Sequence, residues 1–195
     1  MDVAQIAAWM ADFNDQIQAN KEYLTELDRE IGDSDHGVNM ARGMAAVVAL
    51  DPGEFADAGA YVKKIGMTLV STVGGASGPL YGTFFLRFSA KVGDGVVAAF
   101  RAGLDGVVAR GKAERGEKTM IDALGPAVDA MEAAGSETEA LAAGAEAATK
   151  GRDEAIEYVA RKGRASYLGE RSKGHMDPGS ASATYLVEAA ARTLA

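Results

Sequence analysis

Residues 3–29, VAQIAAWMADFNDQIQANKEYLTELDR, place Ile6, Trp9, Met10, Phe13, Ile17, Leu24 and Leu27 at steps of three, four and seven. A helix turning once every 3.6 residues carries those side chains on one face and leaves the acids and amides on the other, so the stretch reads as an amphipathic helix. Working outward, residues 36–50, 54–73, 79–91, 94–110, 119–133, 137–162 and 179–194 repeat that spacing. No stretch alternates apolar and polar residues in the manner of a strand. Eight helices with short connections predict an all-α fold, an antiparallel eight-helix bundle or barrel, and 195 residues predict one domain over 1–195.

Composition narrows the function classes. Cysteine is absent, so disulfides and thiolate metal sites are excluded, and a metal must be held by oxygen or by the two histidines. Oxygen ligands favour a hard cation. A net charge of −8 without a basic stripe argues against nucleic acid as the main partner. The N-terminal residues do not form a basic start, apolar centre and small-residue cleavage site, and no run of about eighteen apolar residues occurs. The expectation is a cytoplasmic chain without a membrane span.

Glycines concentrate in three connections: GDSDHG at 32–37, GGASGPLYG at 74–82 and GRASYLGERSKGHMDPGS at 163–180. Such loops allow close backbone approach to a ligand, as phosphate binding requires. In the first, Asp28, Asp33 and Asp35 are five and then two residues apart. A five-residue step on a helix turns a side chain by about 140°, so only a turn at Ile31 and Gly32 can bring the three together. Crowded carboxylates disfavour one another's ionisation unless a cation sits among them, and magnesium suits a few carboxylates plus phosphate oxygens. The alternative is that Asp33 or Asp35 only caps the helix starting at His36. That helix aims its free amides back at the turn, which attracts an anion beside His36, Gly37, Val38 and Asn39.

The second connection puts Gly74, Gly75 and Ser77 just before a helix opening near Pro79, which suits either a phosphate cradle or a helix-packing corner. In the third, Arg164 can reach a phosphate or a base and Asp177, Pro178 and Gly179 can turn beside a nucleoside; a surface loop with scattered charge is the other reading. His175 lies in the same loop. GKAERGEKT at 111–119 nearly spells a nucleotide-binding P-loop but fails, because Glu117 separates Gly116 from Lys118 and no strand precedes it. Ser136 with Glu139 forms a candidate capping box for an Ala-rich helix without chemistry of its own.

Taken together, LDREIGDSDHGVNMARG (27–43), GMTLVSTVGGASGPLYGTFF (66–85), DGVVARGKAERGEKTM (105–120) and ARKGRASYLGERSKGHMDPGSAS (160–182) resemble the ADP-binding L subunit of bacterial dihydroxyacetone kinases. The resemblance spans nearly the whole chain, least so near 51–60 and 133–155. It implies an eight-helix antiparallel barrel with a nucleotide at one end. It further implies that Asp28, Asp33 and Asp35 hold two Mg2+ ions, and that His36, Gly37, Val38, Asn39, Ala76, Ser77, Gly111, Met120, Arg164, Asp177, Pro178 and Gly179 contact ADP or ATP, with no protein nucleophile. Ser34 stands where many relatives have glycine or alanine. The implied partners are a K subunit holding dihydroxyacetone and a phosphohistidine-bearing phosphotransferase subunit (M), with a transcription regulator as a third. The alternatives are the nucleotide subunit of an ATP-dependent kinase for another small ketose or for a fatty acid, and a regulatory interaction module.

Overall fold

A computed structural model covers residues 1–195, and all regular structure in it is helical. Nine α-helices follow one another: α1 Val3–Ala19, α2 Lys21–Ile31, α3 His36–Val48, α4 Ala58–Thr72, α5 Ser77–Ser89, α6 Val96–Gly111, α7 Ile121–Ala133, α8 Glu137–Glu154 and α9 Pro178–Thr193. The all-α expectation holds. The continuous helix expected over 3–29 does not: it breaks at Asn20, whose backbone N–H and side-chain amide both donate to the Gln16 carbonyl, at 3.0 and 2.9 Å. A short polar side chain that competes for the last carbonyls of a turn favours an end over a continuation.

Other expected helices are also shorter than their apolar pattern. The one predicted over 54–73 begins at Ala58, where Asp57 accepts a hydrogen bond from the Ala60 N–H at 2.7 Å. The one predicted from 94 begins at Val96, because Gly95 has φ +102. The one predicted over 137–162 ends at Glu154 and passes through a 3-10 turn, Ala155–Glu157, into extended backbone at Tyr158. Ser136 accepts from the Glu139 N–H at 3.3 Å, which supplies the forward half of the expected capping box.

Neighbour relations explain how nine helices make an eight-membered barrel. α1 packs on α3, α3 on α4, and so on through α9, which returns to α1; α2 lies outside this ring, against α3 and α9. Consecutive helices joined by short connections and packed side by side alternate in direction. The segments that precede α3, α5, α7 and α9 therefore gather at one end.

Forty-three buried residues fill the ring as one continuous cluster. At its centre Trp9 lies 5.3–5.6 Å, ring centre to ring centre, from Phe85, Phe88 and Phe100. Its indole N–H donates to the Leu186 carbonyl at 2.9 Å, so the polar handle of the largest side chain is satisfied inside the core. No helix is long and apolar enough to cross a membrane.

Candidate functional site

Four helices begin at the shared end, and their first turns line a pocket of about 830 Å³. Asp28, Asp33, Asp35, His36, Ala76, Ser77, Gly111, Met120, Arg164, Asp177, Pro178 and Gly179 all lie on its wall. The three glycine-rich connections and the 111–120 loop, far apart in sequence, thus meet. Gly37, Val38 and Asn39 are not on the wall. Gly37 is buried where α3 crosses α2, and a Cβ there would stand 2.0 Å from the Lys21 carbonyl oxygen. Val38 is exposed. Asn39 accepts from the Arg42 guanidinium at 2.7 Å and packs against Gly74. His175 points to Glu30, 3.6 Å away, outside the pocket.

Helix starts carry unpaired N–H groups and a positive dipole end, so each needs an acceptor. At α3 it comes from the preceding helix: Asp28 Oδ2 accepts from the N–H groups of Asp35 (2.8 Å) and His36 (3.0 Å). Asp35 occupies the N-cap position without capping through its side chain. At α9 Asp177 accepts from the Ser180 N–H at 2.7 Å. At α7 the Ile121 N–H donates to Thr119 Oγ1 at 3.2 Å, and in the loop ahead of it Asp122 accepts from the N–H groups of Gly116 (2.5 Å) and Thr119 (2.8 Å). α5 has no side-chain cap at all, and it starts two residues after Gly75, φ +64. Of the four starts, this one offers its dipole to an outside anion.

The carboxylates of Asp28, Asp33 and Asp35 can each place an oxygen within 4.8 Å of the others. Asp28 is buried, and its Oδ1 lies where a Cβ on residue 32 would fall, 2.0 Å away, so glycine at 32 keeps that oxygen in place. Ser34 turns the chain between Asp33 and Asp35 at φ +66. An all-oxygen, anionic donor set fits a hard divalent cation such as Mg2+ and no soft one. Arg164 lies across the cluster, its guanidinium 2.8 Å from Asp33.

His36 is buried, and burial pushes its pKa down to about 4, against a weak opposing pull from Asp28. Its Nε2 is 2.9 Å from Ser182 Oγ and its Nδ1 is 3.1 Å from Ser77 Oγ. Ser182 Oγ donates to the Gly179 carbonyl (3.1 Å) and lies 2.7 Å from the Tyr81 hydroxyl. One proton placement satisfies every group: Tyr81 and His36 Nε2–H donate to Ser182, and Ser77 donates to His36 Nδ1. The imidazole is thus a neutral tie between α3, α5 and α9. Asp177 is partly accessible on the pocket wall; burial pushes its pKa up to about 7, with the Ser180 N–H opposing and the charges of Asp122 and Asp28 adding to the rise.

Sequence reasoning passed over Lys118, Tyr81, Leu80, Val107, Ile121, Arg110 and Lys162, which also line the pocket. The apolar ones look like ordinary core positions in sequence. Lys118 lies in the 111–119 stretch that fails as a P-loop, and its burial has no sequence signal.

Comparison with known proteins identifies the family. Residues 30–192 match the family described as DAK2 domain. The chain is 45% identical, over 94% of its length and 93% of the relative's, to the PEP-dependent dihydroxyacetone kinase, ADP-binding subunit DhaL, of Escherichia coli. It is 46% identical, over 95% and 93%, to the ADP-binding subunit DhaL of PEP-dependent dihydroxyacetone kinase 1 of Listeria innocua. The crystal structure of the dihydroxyacetone kinase from C. freundii in complex with AMP-PNP and Mg2+ superposes with a TM-score of 0.76 at 27% identity, covering 97% of this chain and 34% of that one. The chain therefore spans about a third of that longer kinase but nearly all of the two bacterial subunits. It belongs to the DAK2-domain family, on the branch of the dihydroxyacetone kinase ADP-binding subunits.

Proposed function

We propose that residues 1–195 form the nucleotide-binding phosphoryl-transfer subunit of a phosphoenolpyruvate-dependent dihydroxyacetone kinase. In this reading the cytoplasmic chain keeps ADP bound, receives a phosphoryl group from a phosphohistidine on a phosphotransferase-system partner, and passes it to dihydroxyacetone on a separate K subunit. The observation that carries the reading is the convergence of three carboxylates and an uncapped helix start on one pocket, in a chain 45% identical to a subunit named as ADP-binding.

Phosphoryl transfer asks chiefly for positioning and charge neutralisation, so no protein nucleophile is required. Asp28, Asp33 and Asp35 would hold two Mg2+ ions, which would neutralise a diphosphate and the group being transferred. The α5 start, with Ala76 and Ser77, presents backbone N–H groups to phosphate oxygens. His36 orients Ser77 without adding charge. Leu80, Val107, Met120 and Ile121 offer an apolar wall to a base, and Asp177 to Gly179 close the pocket beside it.

Denaturing the freshly purified protein and analysing the supernatant tests the reading. Bound ADP or ATP is expected in near-equimolar amount, and Mg2+ with ADP should raise the melting temperature of stripped protein. The absence of both nucleotide release and a melting shift would overturn it. With K subunit and ATP alone, turnover should stop near one equivalent until the phosphohistidine donor is added; continuous turnover would assign the chain to a free-exchange kinase instead.

A further inference from the structure

Lys118 is a long cationic side chain with only 1% of its surface exposed, on a backbone of φ +62. Neither the buried charge nor the left-handed conformation is inexpensive for lysine. All three ammonium protons are committed: Lys118 Nζ donates to the carbonyls of Ala155 (2.8 Å), Ile156 (2.9 Å) and Tyr158 (3.1 Å). These carbonyls lie just past α8, where the helix unwinds into the segment that carries Arg164. Burial lowers the lysine's pKa, while the charges of Asp177, Glu157 and Asp122 hold it up.

Two further contacts join the same two segments, and a third closes the second segment on itself. The Arg161 N–H donates to the Glu117 carbonyl at 3.1 Å, Lys162 Nζ stands 3.9 Å from the Glu117 carboxylate, and the Gly174 N–H shares the Ile156 carbonyl with Lys118 at 2.8 Å. Asp122 fixes the other side of the loop through the Gly116 and Thr119 amides. Lys118 to Ile121 and Lys162 to Ala165 are both pocket wall. Beyond this weld the second segment, a kinked 3-10 stretch Arg164–Ser172 with Gly169 at φ +55, is held by the Arg164–Asp33 pair (2.8 Å), by the Ala160 N–H donating to Ser172 Oγ (2.9 Å) and by a three-residue cluster of Ile31, Ala160 and Ala165.

We propose that Lys118 is a positioning residue for nucleotide retention: its ammonium welds the loop ahead of α7 to the Arg164 segment and so holds two walls of the pocket together. The proposal rests on the nucleotide reading above and adds to it a residue that touches no reacting atom. A subunit that keeps its nucleotide between reaction cycles needs slow release, and slow release needs walls that do not part.

Lys118→Met removes the donors at nearly constant side-chain length. Amide exchange by mass spectrometry should quicken across 155–175 and stay unchanged in α1, α4 and α5. Release of a fluorescent ADP analogue should accelerate about tenfold or more, with little change in its association rate, because small misplacements of binding groups are costly. Lys118→Gln, which keeps two N–H donors, should fall between the two, and it serves as the readout should the methionine variant fail to fold. Faster exchange with release within about twofold of the unmodified protein would reduce Lys118 to a purely structural role and overturn the proposal. Unmodified protein that binds no analogue at all would sink the functional reading, a different result.

Discussion

Arg164 places its guanidinium 2.8 Å from the Asp33 carboxylate, inside the three-carboxylate cluster and on the wall of the pocket. A cation entering the cluster and this arginine compete for one carboxylate. The same guanidinium is also well placed to meet a phosphate.

Arg164→Ala should therefore act with opposite signs on two affinities. Mg2+ alone should bind the variant more tightly, by no more than about fivefold, because the pair is largely exposed and worth about 1 kcal/mol or less. ADP in saturating Mg2+ should bind more weakly. Calorimetric titrations of both ligands check this, and two changes of the same sign would contradict the competition.

Gly32→Ala and Gly37→Ala separate the site from the scaffold. A Cβ at 37 meets the Lys21 backbone carbonyl, so α2 and α3 must part, at a cost of about 1–3 kcal/mol with or without metal. A Cβ at 32 meets chiefly the end of the Asp28 side chain, which can turn away. Mg2+ affinity should then fall about tenfold or more, with the smaller loss of stability. Urea unfolding with and without Mg2+ reads both, and equal behaviour of the two variants would count against the role of Gly32.

A pH dependence follows from Asp177. Its folded pKa of about 7 lies above the unfolded value near 3.9, so the folded chain holds an extra proton between those limits. Stability then falls as pH rises through that window and levels off above it. Asp177→Asn keeps an oxygen for the Ser180 N–H and removes this contribution. Between pH 5 and pH 8, without divalent ions, the unmodified protein should lose about 2–3 kcal/mol more than the variant in urea unfolding. Parallel losses would show that the carboxyl titrates normally.

Trp9 is the single tryptophan and sits at the centre of the aromatic core, so its fluorescence reports the barrel rather than the pocket. Trp9→Phe abandons the bond to Leu186 and leaves a void, which should cost about 2–3 kcal/mol. Mg2+ and ADP affinities of the folded variant should be unchanged. A loss of ligand affinity at full folding would mean that the core and the pocket are coupled.

The spacing of Trp9, Phe13 and Ile17 made the helices legible, because burial on one face imposes a period that survives in sequence. Asn20 and Gly95 were harder: the apolar period runs through both, and the chain breaks there for local reasons of hydrogen bonding and backbone angle. The acidic turn announced itself, since three carboxylates at one corner need an explanation. That Asp28 caps α3 from the preceding helix was not legible, because a tertiary fold-back supplies the cap. Lys118 illustrates the same limit. Its partners are bare carbonyls some forty residues away, and main-chain oxygens leave no trace in a side-chain pattern.

The central claim is that Asp28, Asp33 and Asp35 act together through divalent cations to hold a nucleotide's phosphates. Calorimetric titration of ADP into stripped protein, in Mg2+ and in EDTA, for the unmodified chain and for Asp33→Ala, tests it most directly. The account predicts that Mg2+ tightens binding to the unmodified chain by about 10–100-fold and that the variant, still folded by its Trp9 fluorescence, loses that gain. Equal affinity in Mg2+ and EDTA, or a full magnesium effect in Asp33→Ala, would contradict it.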